Sequence, residues 1–458
     1  MATLPIALDS DTLPLQAVGA REHLHSRTLT ASRGTLITIL AASTMAFGAV
    51  QPWAWGLTAT LTSIPLILWA LNALDRGSIR MVWTPLYLPA AIFVLIAAIQ
   101  FAGRLTADPA ATRESLVKLV ADLLIFFLAC QLWQPASDAA FRRLGFALTA
   151  FACGLALFAT LQFFASPGTL YGVVKPRWNG WIFGPYVNHN HYAGLMEMLI
   201  PVALCHLISQ GRRRPQHAHG MIVSLFGPLA LLIAVASVLL SGSRGGMISL
   251  AVEAIILAVI VPRFLPETRR RRLVLAGIAG VAASAALFFW LDPGQISRRL
   301  EAVADLPRAP EATLGERLSL ARDSLAIFRA HPWLGTGLGS FDAVYPAYRS
   351  FPSDLEWDHA HDDYAEALAE TGIAGGLAAV MAIGLFFAAA FGDLRNRLDC
   401  SGGWIRLGAA IGCCGLLAHS FGDFNLHIPA NAAWFAFFAG IACGGAVPRA
   451  APSRVSRF

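Results

Sequence analysis

Apolar runs of roughly 20 residues, broken by short polar segments, recur along almost the whole chain. A helix of that length crosses the hydrocarbon core of a bilayer. About twelve such runs are present. The first six centre near Ala42, Pro65, Phe93, Phe126, Leu155 and Leu199, the last six near Ile233, Leu250, Leu287, Ile383, Ile411 and Phe437. The pattern predicts an all-α, polytopic membrane protein with about twelve transmembrane helices and one long periplasmic loop that itself contains helices. Two breaks are very short. Gln51-Pro52 alone separates the first two runs, and 241–246 separates the seventh from the eighth. The expected division is an N-terminal cytoplasmic tail at 1–34, nine helices over 35–291, a periplasmic loop region at 292–371, three helices over 372–447 and a cytoplasmic tail at 448–458. Residues 1–32 show no cleavable signal pattern and read as a polar tail.

Composition sharpens this picture. Of 458 residues, 56% are hydrophobic and only 14% are charged, against about a quarter charged in soluble domains. So few charges cannot cover the surface of a water-soluble protein of this size. The net charge of +6 does not indicate nucleic acid, because the arginines sit between the apolar runs, where they report topology. With a cytoplasmic N-terminus, the cytoplasmic connections hold 21 Arg or Lys and the short outside connections hold 6. Both termini then face the cytoplasm of a multi-pass inner (plasma) membrane protein, and the chemistry-bearing loops face the periplasm. The seven cysteines show no zinc-site spacing, and all but Cys400 fall in apolar runs, so no disulfide framework is expected.

Within 292–371, Leu314 to Ala330 alternates apolar and polar positions as an amphipathic helix lying on or near the membrane. The following Gly335-Thr336-Gly337-Leu338-Gly339 reads as a tight turn between loop helices. A nucleotide-binding loop would need a preceding strand, and none is expected here.

Three constellations carry candidate chemistry. The first is His359-Ala360-His361-Asp362-Asp363-Tyr364 with Glu366 and Glu370, at the mouth of the tenth span. Helical spacing places Asp362, Glu366 and Glu370 on one face. A histidine beside such acids suits deprotonation of a sugar hydroxyl. A capping, solvated polar cluster fits the same residues, and His-x-His with acids also has the ligand types of a zinc or manganese site. The second is Arg244, inside Ser241-Gly242-Ser243-Arg244-Gly245-Gly246, where small neighbours let a guanidinium approach an anion; a snorkelling arginine at an interfacial turn is the plain alternative. The third runs from Arg177-Trp178-Asn179-Gly180 to Asn188-His189-Asn190-His191-Tyr192. Its aromatics suit sugar stacking or an interface belt, and Asn188 suits hydroxyl binding or a helix cap. His419, Asp423 and His427 read as interfacial residues flanking the last outside turn.

Together these regions resemble the O-antigen ligase family, which includes polysaccharide polymerases. That family shows a His, then Asn, Ser or Gln, nine residues, Gly, two residues and Gly, Thr or Tyr; His361, Asp362, Gly372 and Gly375 fall at this spacing, with Asp362 departing from the usual residue. His331-Pro332-Trp333-Leu334-Gly335 through Phe341 is similar to the family's loop, and Arg177 with Gly180 and Asn188, and Ser243-Arg244-Gly245-Gly246, are similar to its two arginine motifs. The resemblance runs from Arg177 onward. It implies a glycosyltransferase of polysaccharide or lipopolysaccharide biosynthesis in the cell envelope. Its donor would be an undecaprenyl-diphosphate-linked glycan and its acceptor a lipid A core or another glycan, without metal or cofactor, other envelope-assembly proteins being possible partners. On this reading His361 is the catalytic base and Arg177 and Arg244 clamp the diphosphate. Asn188, His359, Asp362 and Tyr364 contact substrate, Asp362 orients His361 or the acceptor, and His359 is the alternate base. A repeat-unit polymerase of the same family fits equally, and a lipid-linked glycan transporter or flippase is the alternative from another class, although no internal repeat is visible.

Overall fold

The computed structural model describes residues 2–5, 15–166, 168–175, 181–211, 219–272, 314–352 and 357–443, with isolated helical positions between 275 and 286. Its elements in chain order are α1 (Leu15–Met45), α2 (Pro52–Leu61), α3 (Ser63–Asp75), α4 (Tyr87–Ala102), α5 (Pro109–Trp133), α6 (Asp138–Ala165), α7 (His189–Gln210), α8 (His219–Ser241) and α9 (Arg244–Ile260). After 313 come α10 (Leu314–Ala330), α11 (Phe341–Val344), α12 (Asp363–Phe391), α13 (Leu394–Arg397), α14 (Ser401–His419) and α15 (Pro429–Ala442). One short antiparallel pair sets Ala2 opposite Met81.

The protein is an all-α polytopic membrane protein. Among the described residues, seven helices are long and apolar enough to cross a membrane: 52–75, 109–133, 138–165, 189–210, 244–264, 363–391 and 401–419; shorter apolar helices occupy 87–102, 226–241 and 429–442. Eleven of the twelve expected centres fall in helices, and the ninth, near Leu287, lies outside the described residues. The outer helices show large apolar side chains such as Leu161, Leu229, Ile255, Leu377 and Val380 on their surface, as lipid-facing positions require.

The centre is the α7–α14 pair, each with 89% of its apolar window buried. Glycine lets the two helices close up. A Cβ on Gly408 would meet the Pro201 carbonyl oxygen at 2.7 Å, and one on Gly412 the Met198 carbonyl oxygen at 2.6 Å. Such close approach through small residues is how membrane helices pack without a hydrophobic driving force between them. Caps define the helix starts that matter for the site. Asn188 accepts from Asn190 N, Ser243 from Gly246 N, and Asp362 from Tyr364 N and Ala365 N, each satisfying backbone donors that the first turn leaves free.

The loop region is folded onto the bundle. The α10 helix buries Leu320 and Ile327 against Phe341, Tyr345, Trp357 and Ala369. Leu320 and Ile327 therefore cover protein, while Leu318 and Leu325 of the same helix remain exposed. The glycine turn docks into a break in α12. Gly372 takes φ 62°, ψ −161°, a conformation essentially restricted to glycine. Gly335 and Gly372 lie back to back, with Thr336 N donating to Ala369 O and Ile373 N to Pro332 O. Glu370 accepts from Gly339 N at 2.7 Å and Phe341 N at 2.9 Å, and Gln100 donates to the Glu370 carbonyl. These contacts hold the His359–Asp363 segment at the start of the span. The six cysteines of the apolar runs are buried and free, and Cys400 is exposed and free.

Candidate active site

A carboxylate anchors the site. Asp423, in the turn between α14 and α15, is fully buried, and three imidazoles surround it. His361 Nδ1 stands 3.6 Å and His191 Nε2 3.7 Å from Oδ1, and His419 Nε2 stands 3.9 Å from Oδ2. These approaches fall short of hydrogen bonds. Oδ1 accepts the Phe424 N–H, while Oδ2, His361 Nδ1 and His191 Nε2 have no hydrogen-bond partner among the described residues. Burial alone would raise the Asp423 carboxyl. The facing imidazoles of His191 and His361 outweigh burial and hold it well below the usual carboxylate range.

The cluster extends inward. His419 Nδ1 donates to Glu197, 3.1 Å from Oε1 and 3.2 Å from Oε2. An acid within a span is costly unless paired, and this pairing gives Glu197 its partner. It also fixes the His419 tautomer, leaving Nε2 toward Asp423.

Arg244 joins the cluster through its neighbour. A Cβ on Gly245 would sit 2.2 Å from His419 Nε2, so only glycine lets the start of α9 lie against that ring. Arg244 is exposed. Its guanidinium has no hydrogen bond or ion pair among the described residues. The start of α7 adjoins the same turn, because His189 Nδ1 donates to Ser241 O at 2.8 Å and its ring stacks on Trp181. The second and third constellations of the sequence therefore meet. Arg177 lies outside the described residues.

Other expected residues make structural contacts. Asp362, whose carboxyl burial raises above its usual value, caps α12; it makes no contact with His361 among the hydrogen bonds of the site, so the capping alternative accounts for it. Asn188 likewise caps α7. Tyr364 donates to Leu417 O at 2.6 Å and packs on Phe421, and Asp363 N donates to Ser420 O at 3.0 Å; both tie the start of α12 to the end of α14. Asp362, Glu366 and Glu370 do not act as one face, since Glu370 holds the glycine turn and Glu366 faces His359.

His359 belongs to a second cluster. Its Nδ1 donates to Glu366 Oε1 at 2.7 Å. His427 Nδ1 donates to Asp363 Oδ1 at 2.9 Å, and its Nε2 stands 3.2 Å from Glu366 Oε1. Burial would lower His427, but the Glu366 and Asp363 carboxylates push it up to about 10. The Phe424 ring stands between the clusters, stacked on His359 at 4.5 Å and edge-on to His361 at 4.7 Å. His361 itself has φ 51°, a left-handed conformation uncommon for a side-chain-bearing residue.

Residues 229–380 match the family model described as O-antigen ligase. Over this stretch, about a third of the chain, the protein is similar to the O-antigen ligase family. The stretch spans Arg244, α10, the glycine turn, His359 and His361. The family consists of membrane glycan-processing enzymes. No match was found among curated proteins. His191, His419, Asp423 and His427 lie outside the matched stretch, yet they complete the clusters around its histidines. His419 and Asp423, expected to be interfacial, are buried instead. Arg317 on α10 is a further basic group of the matched stretch: its Nη1 donates to Gly422 O, next to Asp423.

Proposed function

We propose that the chain transfers a glycan from an undecaprenyl-diphosphate donor to a hydroxyl acceptor at the periplasmic face, as an O-antigen ligase does. The supporting observation is the Asp423 junction, where His361 stands beside a buried carboxylate and the Arg244 turn packs on the adjoining His419. Because Asp423 faces Nδ1 of His361, the free lone pair falls on Nε2, which takes the acceptor's proton. The acceptor oxygen then bonds to the anomeric carbon. The bond from that carbon to the diphosphate oxygen breaks, and the electron pair leaves with undecaprenyl diphosphate. Arg244 and Arg177 balance the charge that develops on this leaving group, so no metal is required. The imidazolium formed at His361 is stabilised by Asp423; closing the 3.6 Å gap to a hydrogen bond takes a shift of about half an ångström. Asn188, Asp362 and Tyr364 shape the surroundings in which donor and acceptor meet.

Ligase and polymerase differ in acceptor, a lipid A core or a second lipid-linked repeat. In a deletion strain, polymer accumulating on the carrier supports the ligase, and loss of carrier-bound polymer supports the polymerase. Purified protein in detergent, given lipid-linked donor and acceptor, should form product. His361→Ala at normal membrane abundance should form none; undiminished product from that variant rules out the assignment. Product formed without a sealed membrane excludes a pure flippase.

A further inference from the structure

The second cluster is not used by the transfer, and its geometry calls for a cation. His427 donates its Nδ1 proton to Asp363, which turns its Nε2 toward Glu366 Oε1 across 3.2 Å. Glu366 Oε1 also faces His359 Nδ1 at 2.7 Å. Two ring nitrogens and a carboxylate oxygen thus converge, all within 4.8 Å of one another. Positive charge has to lie among these atoms, and a metal ion can take the place of the protons that otherwise supply it.

We propose that His359, Glu366 and His427 form a site for a divalent transition metal, with zinc the best match, joining the loop before α12 to the turn before α15. Two imidazoles and one carboxylate are a recurrent zinc donor set. Tetrahedral zinc with bonds of about 2.0–2.2 Å sets its ligand atoms about 3.3 Å apart, so the 2.7 Å and 3.2 Å spacings at Glu366 Oε1 need only small adjustment. The orienting shell is in place: the Asp363 carboxylate holds the His427 ring, the carboxylate–histidine–metal arrangement. The Ala360 N–H donates to Glu366 Oε2 at 2.7 Å, which leaves Oε1 to the metal. Both histidine side chains keep 27% of their surface exposed, giving an ion a way in and a fourth position for water. The Phe424 ring separates this site from His361. The metal is therefore structural: it fixes the segment that carries His361 and takes no part in the transfer. Binding displaces the proton between His359 and Glu366, so each zinc bound releases protons to the buffer.

The test uses the purified full chain in detergent, stripped with chelator and titrated with zinc chloride. Calorimetry and metal analysis should give about one zinc per chain. Glu366→Gln and His427→Ala should abolish that binding, and Asp363→Asn should weaken it by about 10- to 100-fold. His361→Ala should bind zinc as the unaltered chain does, which separates this site from the transfer site. Should the altered chains fail to fold, carbethoxylation of the unaltered chain decides: zinc should shield His359 and His427 but not the exposed His331. Absence of stoichiometric zinc, affinity unchanged in both ligand variants, or no shielding overturns the proposal and leaves protons as the charge that holds the cluster.

Discussion

Replacing Asp423 with Asn tests the transfer mechanism most sharply, because it keeps the shape of the side chain and removes only its charge. The imidazolium that forms on His361 in the transition state sits 3.6 Å from Oδ1. Opposite unit charges at that distance attract by about 4 kcal/mol at the effective dielectric of a partly solvated site. At about 1.4 kcal/mol per factor of ten, the full effect is about a thousandfold in rate. His361 keeps 19% of its side chain exposed, and water screens part of the interaction. The expected loss is therefore about a hundredfold in kcat. KM for the lipid-linked donor should change little, since the diphosphate is held by arginines. The assay is transfer in detergent under saturating donor and acceptor, with thermal unfolding run alongside to show that the variant remains folded. A folded Asp423→Asn protein with kcat within about threefold of the unaltered chain would refute the reasoning, because His361 would then act without its buried counter-charge.

The remaining predictions concern the anion site, the loop hinge and acid stability. Arg244→Ala should lower kcat by about 100-fold while leaving the melting temperature unchanged, because the side chain is exposed and has no partner among the described residues; Arg244→Lys should restore only part, since an ammonium cannot grip two phosphate oxygens in a fork. Equal activity in all three forms argues against the clamp. Gly372→Ala should destabilise the protein by about 1–3 kcal/mol from backbone strain alone, with more from the new Cβ lying 2.5 Å from the Trp333 carbonyl carbon; an unchanged melting temperature contradicts the hinge. Asp423 has its folded pKa depressed, so its contribution to stability is complete above the unfolded value of about 4 and is lost as pH falls through the folded value. Comparing melting curves of the unaltered chain and Asp423→Asn between pH 7 and pH 3 should show a constant difference down to about pH 4 and convergence below it.

What the sequence revealed depended on how local the signal was. Spans were legible because each is one uninterrupted apolar stretch, and the centres at Phe126, Leu199 and Ile411 lie well inside helices. Arg244 and His361 were legible because each sits in a compact motif of small or acidic neighbours. Asp423 was not, since its importance comes from residues at 191, 361 and 419 that meet only after four helices pack. Read alone, a polar turn between two spans is an interfacial turn. Glu197 was missed for the opposite reason: one acid in a long apolar run barely alters the pattern, although its cost in lipid implies a partner. Gly245 could have suggested one, because two adjacent glycines at a helix start leave room for a neighbouring ring. Asp362 shows a local rule prevailing over a motif, as its position before α12 makes it a cap.

The contacts also explain why basic and acidic groups collect at this end of the bundle. The starts of α7, α9 and α12 are drawn together: His189 bonds to Ser241, Gly245 abuts His419, and Asp363 N bonds to Ser420 O. Each helix start carries roughly half a positive charge from its unpaired N–H groups. Three starts side by side create a field that favours an anion before any side chain is counted. Asp423 answers part of that field from within, which fits its ability to remain ionised while buried. The rest faces outward at Arg244, whose guanidinium has no protein partner among the described residues. An arginine left unpaired at such a place is stabilised when an anion arrives, and a membrane-bound diphosphate brings two adjacent phosphates to the fork. The buried acid and the exposed base are thus two responses to one electrostatic arrangement. Removing the first should slow the chemical step, whereas removing the second should weaken the hold on the leaving group.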